Sequence, residues 1–86
     1  MTGMSEEEKP LNIQGLLGVG LDNDDGHTRI TRGENFYLCG GSEETHERMV
    51  ETTLKFNEKV ERRGKPLEKI NARELKEITS ELREET

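Results

Sequence analysis

The sequence predicts an α+β fold, in which a short antiparallel β-meander of two or three strands is followed by two α-helices packed on one face. Three observations support this class. The first half of the chain contains period-two segments separated by turn residues, and the second half has apolar residues at helical spacing. A capping sequence then marks the start of a last helix. We expect residues 1–10 to form a flexible N-terminal tail and residues 11–86 to form a single domain.

The composition restricts the core and the partners of this domain. The chain has 86 residues, of which 28% are hydrophobic and 37% are charged, so the expected core is thin. A single cysteine, Cys39, excludes an intramolecular disulfide. The net charge of −6 repels phosphate backbones and makes nucleic acid an unfavourable partner. Without an apolar run long enough to span a bilayer or a secretory signal, we expect a cytoplasmic protein that does not bind membranes.

The first predicted strand has two different faces. Leu17, Val19 and Leu21 occupy alternate positions, so they share one apolar face. The positions between them are Gly18 and Gly20, which leave the other face almost bare. A face without side chains lets another backbone approach closely, so this glycine face is a candidate contact surface.

Turn residues separate the remaining predicted strands. Residues 23–26 (Asn-Asp-Asp-Gly) are typical of a tight turn. A second strand is expected at residues 27–32, and residues 33–35 form another turn. Residues 36–39 (Phe-Tyr-Leu-Cys) then form a short third strand, which is apolar on both faces and therefore central or covered.

Local capping signals define the two predicted helices. Ser42 is a suitable N-cap and Gly64 a suitable C-cap for a helix that ends near residue 63. Asn71 and Glu74 have the spacing of a capping box, which places the start of the second helix after Asn71.

The leading functional hypothesis is a non-enzymatic protein–protein interaction or regulatory module, with a homodimer as one form of it. The core is thin for a monomer, polar residues interrupt the apolar face of the first helix, and no catalytic constellation is evident. The expected partner is another protein or a second copy, and no cofactor is expected. The residues assigned to the interaction surface are Gly18, Gly20, His46, Met49, Thr53, Asn57 and Val60.

An alternative hypothesis is a small ligand- or metal-binding domain that uses the acidic hairpin loop. Asp22, Asp24 and Asp25 offer carboxylate oxygens on this loop, and His27 adds an imidazole. Hard cations such as calcium prefer several oxygen ligands on a tight loop. The spacing does not match an EF-hand, so this site would be of another type.

A third hypothesis is a small Cys/His enzyme. Cys39 ends a strand just before a helix N-terminus, where a thiolate is stabilised, and His46 lies one turn into that helix. No third catalytic group or oxyanion device is evident. The sequence therefore assigns no catalytic residue.

The segments LLGVGLDNDDGHTRITRGENF and GGSEETHERM lie within residues 15–66. Over this stretch, which is more than half of the chain, the sequence resembles a small family of short bacterial proteins without a known activity. The resemblance implies a free-standing bacterial protein. It supplies no activity, cofactor or site residues.

Overall fold

The computed structural model describes residue 3, residues 5–23 and residues 25–85. The predicted α+β class, with three strands followed by two helices, is confirmed. The chain divides into two compact units: a sheet unit, Gly15–Leu54, and a helical unit that combines Met1–Gln14 with Lys55–Thr86. The elements in chain order are β1 (Leu16–Gly20), β2 (Ile30–Arg32), β3 (Phe36–Gly40), α1 (Glu43–Arg62), a 3₁₀ turn (Leu67–Lys69) and α2 (Ala72–Glu85).

The three strands form a mixed sheet in the order β1-β3-β2. Strand β3 is central, antiparallel to β2 and parallel to β1. The expected antiparallel meander is therefore wrong in its pairing of β1. The physical reason is the length of the connections. Residues 33–35 form the tight link of a hairpin, whereas residues 21–35 are long enough for a parallel crossover that includes β2 itself.

The two faces of the sheet are covered differently. Directly opposed residues share a face, so Gly18 and Leu38 lie on one side and Val19 and Cys39 on the other. The N-terminal half of α1 covers the first side, where a Cβ added to Gly18 would lie 3.4 Å from the sulfur of Met49. Leu38, at the centre of this covered face, is 2% exposed.

Helix α1 has both of its predicted caps. The Ser42 side-chain oxygen accepts a hydrogen bond from the amide of Thr45 at 3.2 Å, and the Ser42 carbonyl accepts one from the amide of His46 at 2.8 Å. Beyond the other end, Gly64 has a φ of 71°, the left-handed conformation that terminates helices.

In the helical unit, α2 begins with the predicted capping box. The amide of Glu74 donates to Oδ1 of Asn71 at 2.8 Å, and the amide of Asn71 donates to Oε1 of Glu74 at 3.2 Å. Ion pairs from Lys59 to Glu81 and Glu85 connect α2 with the C-terminal half of α1. The buried hydrophobic side chains of this unit are Phe56, Val60, Ile70, Ile78 and Leu82.

Residues 5–10 lie against the start of α2. A carboxylate oxygen of Glu7 accepts a hydrogen bond from Lys76 at 2.8 Å, and its carbonyl accepts one from the amide of Arg73 at 3.4 Å. Residues 1, 2 and 4 of the predicted tail lie outside the described residues. Across the part of the chain that the structure describes, no helix is long and apolar enough to cross a membrane.

Candidate protein-interaction surface

One face of the sheet presents large apolar side chains to solvent. Leu17 is 75% exposed, Val19 58%, Ile30 54% and Tyr37 38%. The strand register places them together: Leu17 opposes Tyr37, while Val19 and Ile30 both oppose Cys39. We use the name open face for the five residues on this side of the sheet: Leu17, Val19, Ile30, Tyr37 and Cys39. Exposed apolar patches of this kind are uncommon on monomers and mark interaction sites.

The strand residues on the same side as the open face are mostly neutral. Arg32 opposes Tyr37 and is the one charged residue among the strand residues of this face. Leu21 follows β1 directly and is 93% exposed. The open face therefore carries no carboxylate from the strands, although the chain as a whole has a net charge of −6.

Strand β1 is also an edge strand, and among the described strands only β3 pairs with it. The amide of Leu16 bonds inward to the carbonyl of Asn35 at 2.8 Å. In a parallel ladder the inward groups alternate, so the N–H and C=O groups of Leu17 and Val19 point to the outer edge. Edge strands in natural proteins are usually protected by charged residues, proline or bulges. The sequence of β1, LLGVG, contains no charged residue and no proline. The open face and this edge are continuous at Leu17 and Val19.

A groove of about 380 Å³ lies beside the same edge, between β1 and α1. Leu16 and Gly18 line it from the strand, and Thr45, Met49 and Thr52 line it from the helix. Leu38 closes the floor of the groove at Gly18, where an added Cβ would lie 2.7 Å from its terminal methyl. The groove adds a second apolar feature to the β1 side of the sheet unit.

The residues assigned to the interaction surface from sequence lie elsewhere. Gly18 and Gly20 lie on the side of the sheet that α1 covers. His46 and Thr53 are buried in the sheet unit, and Val60 is buried in the helical unit. His46, Thr53 and Val60 are thus buried, whereas Gly18 and Gly20 are half-buried on the side of β1 that the helix covers.

The other two assigned residues, Met49 and Asn57, are half-buried on α1. The sequence signal for the open face was the alternation of Leu17 and Val19 with glycine. This alternation does not show which face of the sheet helix α1 covers.

His46 is fixed by hydrogen bonds through both ring nitrogens. Its Nδ1 lies 2.9 Å from the carbonyl oxygen of Gly40, which only accepts, so Nδ1 carries the proton and donates. Its Nε2 lies 2.8 Å from the hydroxyl of Thr31, which donates to it when the imidazole is neutral. In this arrangement neither nitrogen is directed to Cys39. His46, the base of the Cys/His enzyme hypothesis, is therefore held by Gly40 and Thr31.

The described carboxylates of the acidic loop bond to the protein itself. Oδ2 of Asp22 accepts from the Thr45 hydroxyl at 2.6 Å, and Oδ1 accepts from the Ser42 amide at 3.1 Å. These two bonds hold the pKa of Asp22 below its ordinary value. Asp25 pairs with Arg29, and this hydrogen bond is the largest cause that lowers the pKa of Asp25 to about 2.

The metal-site hypothesis involves two further residues of the loop. Asp24 lies outside the described residues. The amide of His27 donates to Oδ1 of Asp25 at 3.0 Å. Among residues 3, 5–23 and 25–85, no three His, Cys, Asp or Glu side chains are grouped in a way that would hold a metal ion. In its described part, the loop caps α1 and stabilises its own turn.

No family model, no curated protein and no solved structure matches this chain. The resemblance to short bacterial proteins therefore stays a prediction.

Proposed function

We propose that this chain is a non-enzymatic protein-interaction module that binds its partner through the open face. The observation that carries this proposal is the exposure of Leu17, Val19, Ile30 and Tyr37 on one side of a small sheet. Apolar surface in contact with water raises the free energy of the free protein, and a partner that covers the surface recovers that free energy.

The magnitude of this effect is compatible with a reversible complex. Covering roughly 500 Å² of apolar surface at about 25 cal/mol per Å² gives on the order of 10 kcal/mol before the costs of association. Those costs are about 4–15 kcal/mol, so the apolar contact alone leaves a small net affinity. Backbone hydrogen bonds along β1 would add to it, as they do wherever a partner strand pairs with a free edge.

The interior polar groups support a binding role over a catalytic one. Both nitrogens of His46 hold the helix to the sheet. The two described carboxylates of the acidic loop, Asp22 and Asp25, serve the helix N-terminus and the turn. His46, Asp22 and Asp25 are thus engaged in structural hydrogen bonds, and the unusual feature of the sheet unit is the open face.

Site-specific photo-crosslinking tests this proposal. The crosslinking amino acid p-benzoylphenylalanine replaces Tyr37 on the open face or, as a matched control, Leu54, which is 55% exposed on α1. Each variant is irradiated in an extract of the cells that produce the protein. We expect a covalent protein adduct at position 37 that is absent at position 54. Equal adducts at both positions, or none at position 37, would overturn the proposal.

A further inference from the structure

We infer that the partner of the open face is a second copy of this chain, with the two sheets packed face to face about a twofold axis. This inference rests on the proposed interaction function and names its partner.

The size of the open face fits a symmetric contact. Its exposed side chains offer roughly 500 Å² per copy, so two copies bury about 1,000 Å², which is the lower limit for a specific interface. Leu21, which directly follows β1, is a further exposed apolar side chain next to this strand. Two small sheets pack in this way at a spacing of about 10 Å, with their strands aligned to within about 30°.

The charge distribution favours self-association at this face. A twofold contact requires a surface that is complementary to itself. The net charge of −6 makes two copies of the chain repel each other at long range. Arg32 is the strand residue beside the open face that carries a charge, and no strand residue on this side is acidic, so the strands of two open faces meet without bringing their carboxylates together. The flexible stem of Arg32 lets its charge stay in water at the rim.

The thin interior of the sheet unit also favours a second copy. Among its described residues, which are all of Gly15–Leu54 except residue 24, Leu38 is the one hydrophobic side chain that is fully buried. A unit of this size usually needs a disulfide, a metal or a partner to reinforce it. Face-to-face packing supplies a second apolar layer and gives the order helix, sheet, sheet, helix.

Sedimentation velocity from low micromolar to near-millimolar concentration tests the inference. We expect a monomer–dimer equilibrium for the unaltered chain. Ile30→Asp should raise the dimer dissociation constant by about 30-fold or more, because the twofold axis introduces the charge twice. The matched control is Leu54→Asp, which adds the same charge at a side chain of almost equal exposure, 55% against 54%. It should dimerise like the unaltered chain.

A second variant separates a face contact from an edge contact. Leu17 lies on β1 and Ile30 on β2, at opposite edges of the sheet. A dimer joined face to face is weakened by Leu17→Asp and by Ile30→Asp. A dimer that loses affinity with Leu17→Asp alone is joined through the β1 edge, and that result overturns the inference.

Alkylation of Cys39 gives a measurement that requires no variant. Cys39 is partly exposed on the open face. Its rate of modification should fall as the protein concentration rises through the dimer transition, and a constant rate would contradict face-to-face packing.

A chain that stays monomeric, yet forms a position-37 adduct with a different protein, overturns the second copy and retains the interaction function. A monomer without any adduct overturns both.

Discussion

Nε2 of His46, on helix α1, lies 2.8 Å from the hydroxyl oxygen of Thr31, on strand β2. The other ring nitrogen lies 2.9 Å from the carbonyl oxygen of Gly40, at the end of β3. One side chain of the helix is therefore bonded to two strands of the sheet. Because His46 is only 7% exposed, water does not readily replace a lost partner.

Thr31→Val should destabilise the protein by about 1–3 kcal/mol, since it leaves a buried ring nitrogen without its donor. Valine has nearly the shape of threonine and favours strands, so the loss would not come from packing or strand propensity. The measurement is the free energy of unfolding in urea, followed by circular dichroism. Thr28→Val, at an exposed position, is the control and should change stability by less than about 0.5 kcal/mol. Equal effects of the two changes would contradict this role of Thr31.

The local parts of the fold were predictable from the sequence. The Ser42 cap and the reciprocal bonds of Asn71 and Glu74 join residues three positions apart. Such contacts depend on residue type and spacing, which a sequence displays directly.

The strand order and the site depend on contacts between distant residues. Leu16 pairs with Phe36 across a parallel ladder, and no local pattern distinguishes that pairing from a meander. The alternation of leucine and glycine in β1 showed that its two faces differ. It did not show that α1 packs on the glycine side, because either side could be covered in principle. Because α1 packs on the glycine side, the candidate contact surface is the open face and not the face of Gly18 and Gly20.

Substitutions at the two β1 glycines should differ in cost. A Cβ at Gly20 would lie 2.5 Å from the Cα of Gly41, whereas one at Gly18 would lie 2.7 Å from a terminal methyl of Leu38. Backbone yields less readily than the end of a side chain. We expect Gly18→Ala to destabilise by about 1–3 kcal/mol and Gly20→Ala to destabilise more.

Thermal unfolding of these two variants shows which substitution destabilises the protein more. Gly3→Ala is the control, since nothing lies within 4 Å of a Cβ added there. If Gly20→Ala melts at the same temperature as Gly3→Ala, β1 does not pass as close to Gly41 as described.

The capping box of α2 gives a prediction in the helical unit. Asn71→Ala removes the oxygen that accepts from the amide of Glu74 at 2.8 Å, and the expected loss is about 0.5–2 kcal/mol. Asn71→Asp keeps an acceptor at the helix N-terminus and should retain most of the stability. Urea unfolding of both variants checks this pair. A loss of the same size in both would mean that the hydrogen bond is not what stabilises the start of α2.

The contacts of Asp22 make one part of the stability depend on pH. Hydrogen bonds from Thr45 and Ser42 hold the pKa of Asp22 in the folded chain below its ordinary value of 3.8. The folded state therefore binds this proton less readily than the unfolded state does. It follows that the stabilisation from Asp22 is complete above pH 3.8 and is lost as the pH falls through the lower pKa of the folded state.

Asp22→Asn should consequently lower the melting temperature at neutral pH, because asparagine has one acceptor oxygen and cannot accept at both Oδ1, from the Ser42 amide, and Oδ2, from the Thr45 hydroxyl. Asparagine also carries no charge at the α1 N-terminus. The difference between the unaltered chain and the variant should shrink as the pH falls below 3.8. Glu34→Gln, at an exposed residue in the β2–β3 turn, is the control and should leave the melting temperature nearly unchanged at neutral pH. Differential scanning calorimetry over the acid range makes this measurement. A difference for Asp22→Asn that stays constant across that range would show that the carboxylate contributes through its shape alone, and not through the charge that its hydrogen bonds from Thr45 and Ser42 stabilise.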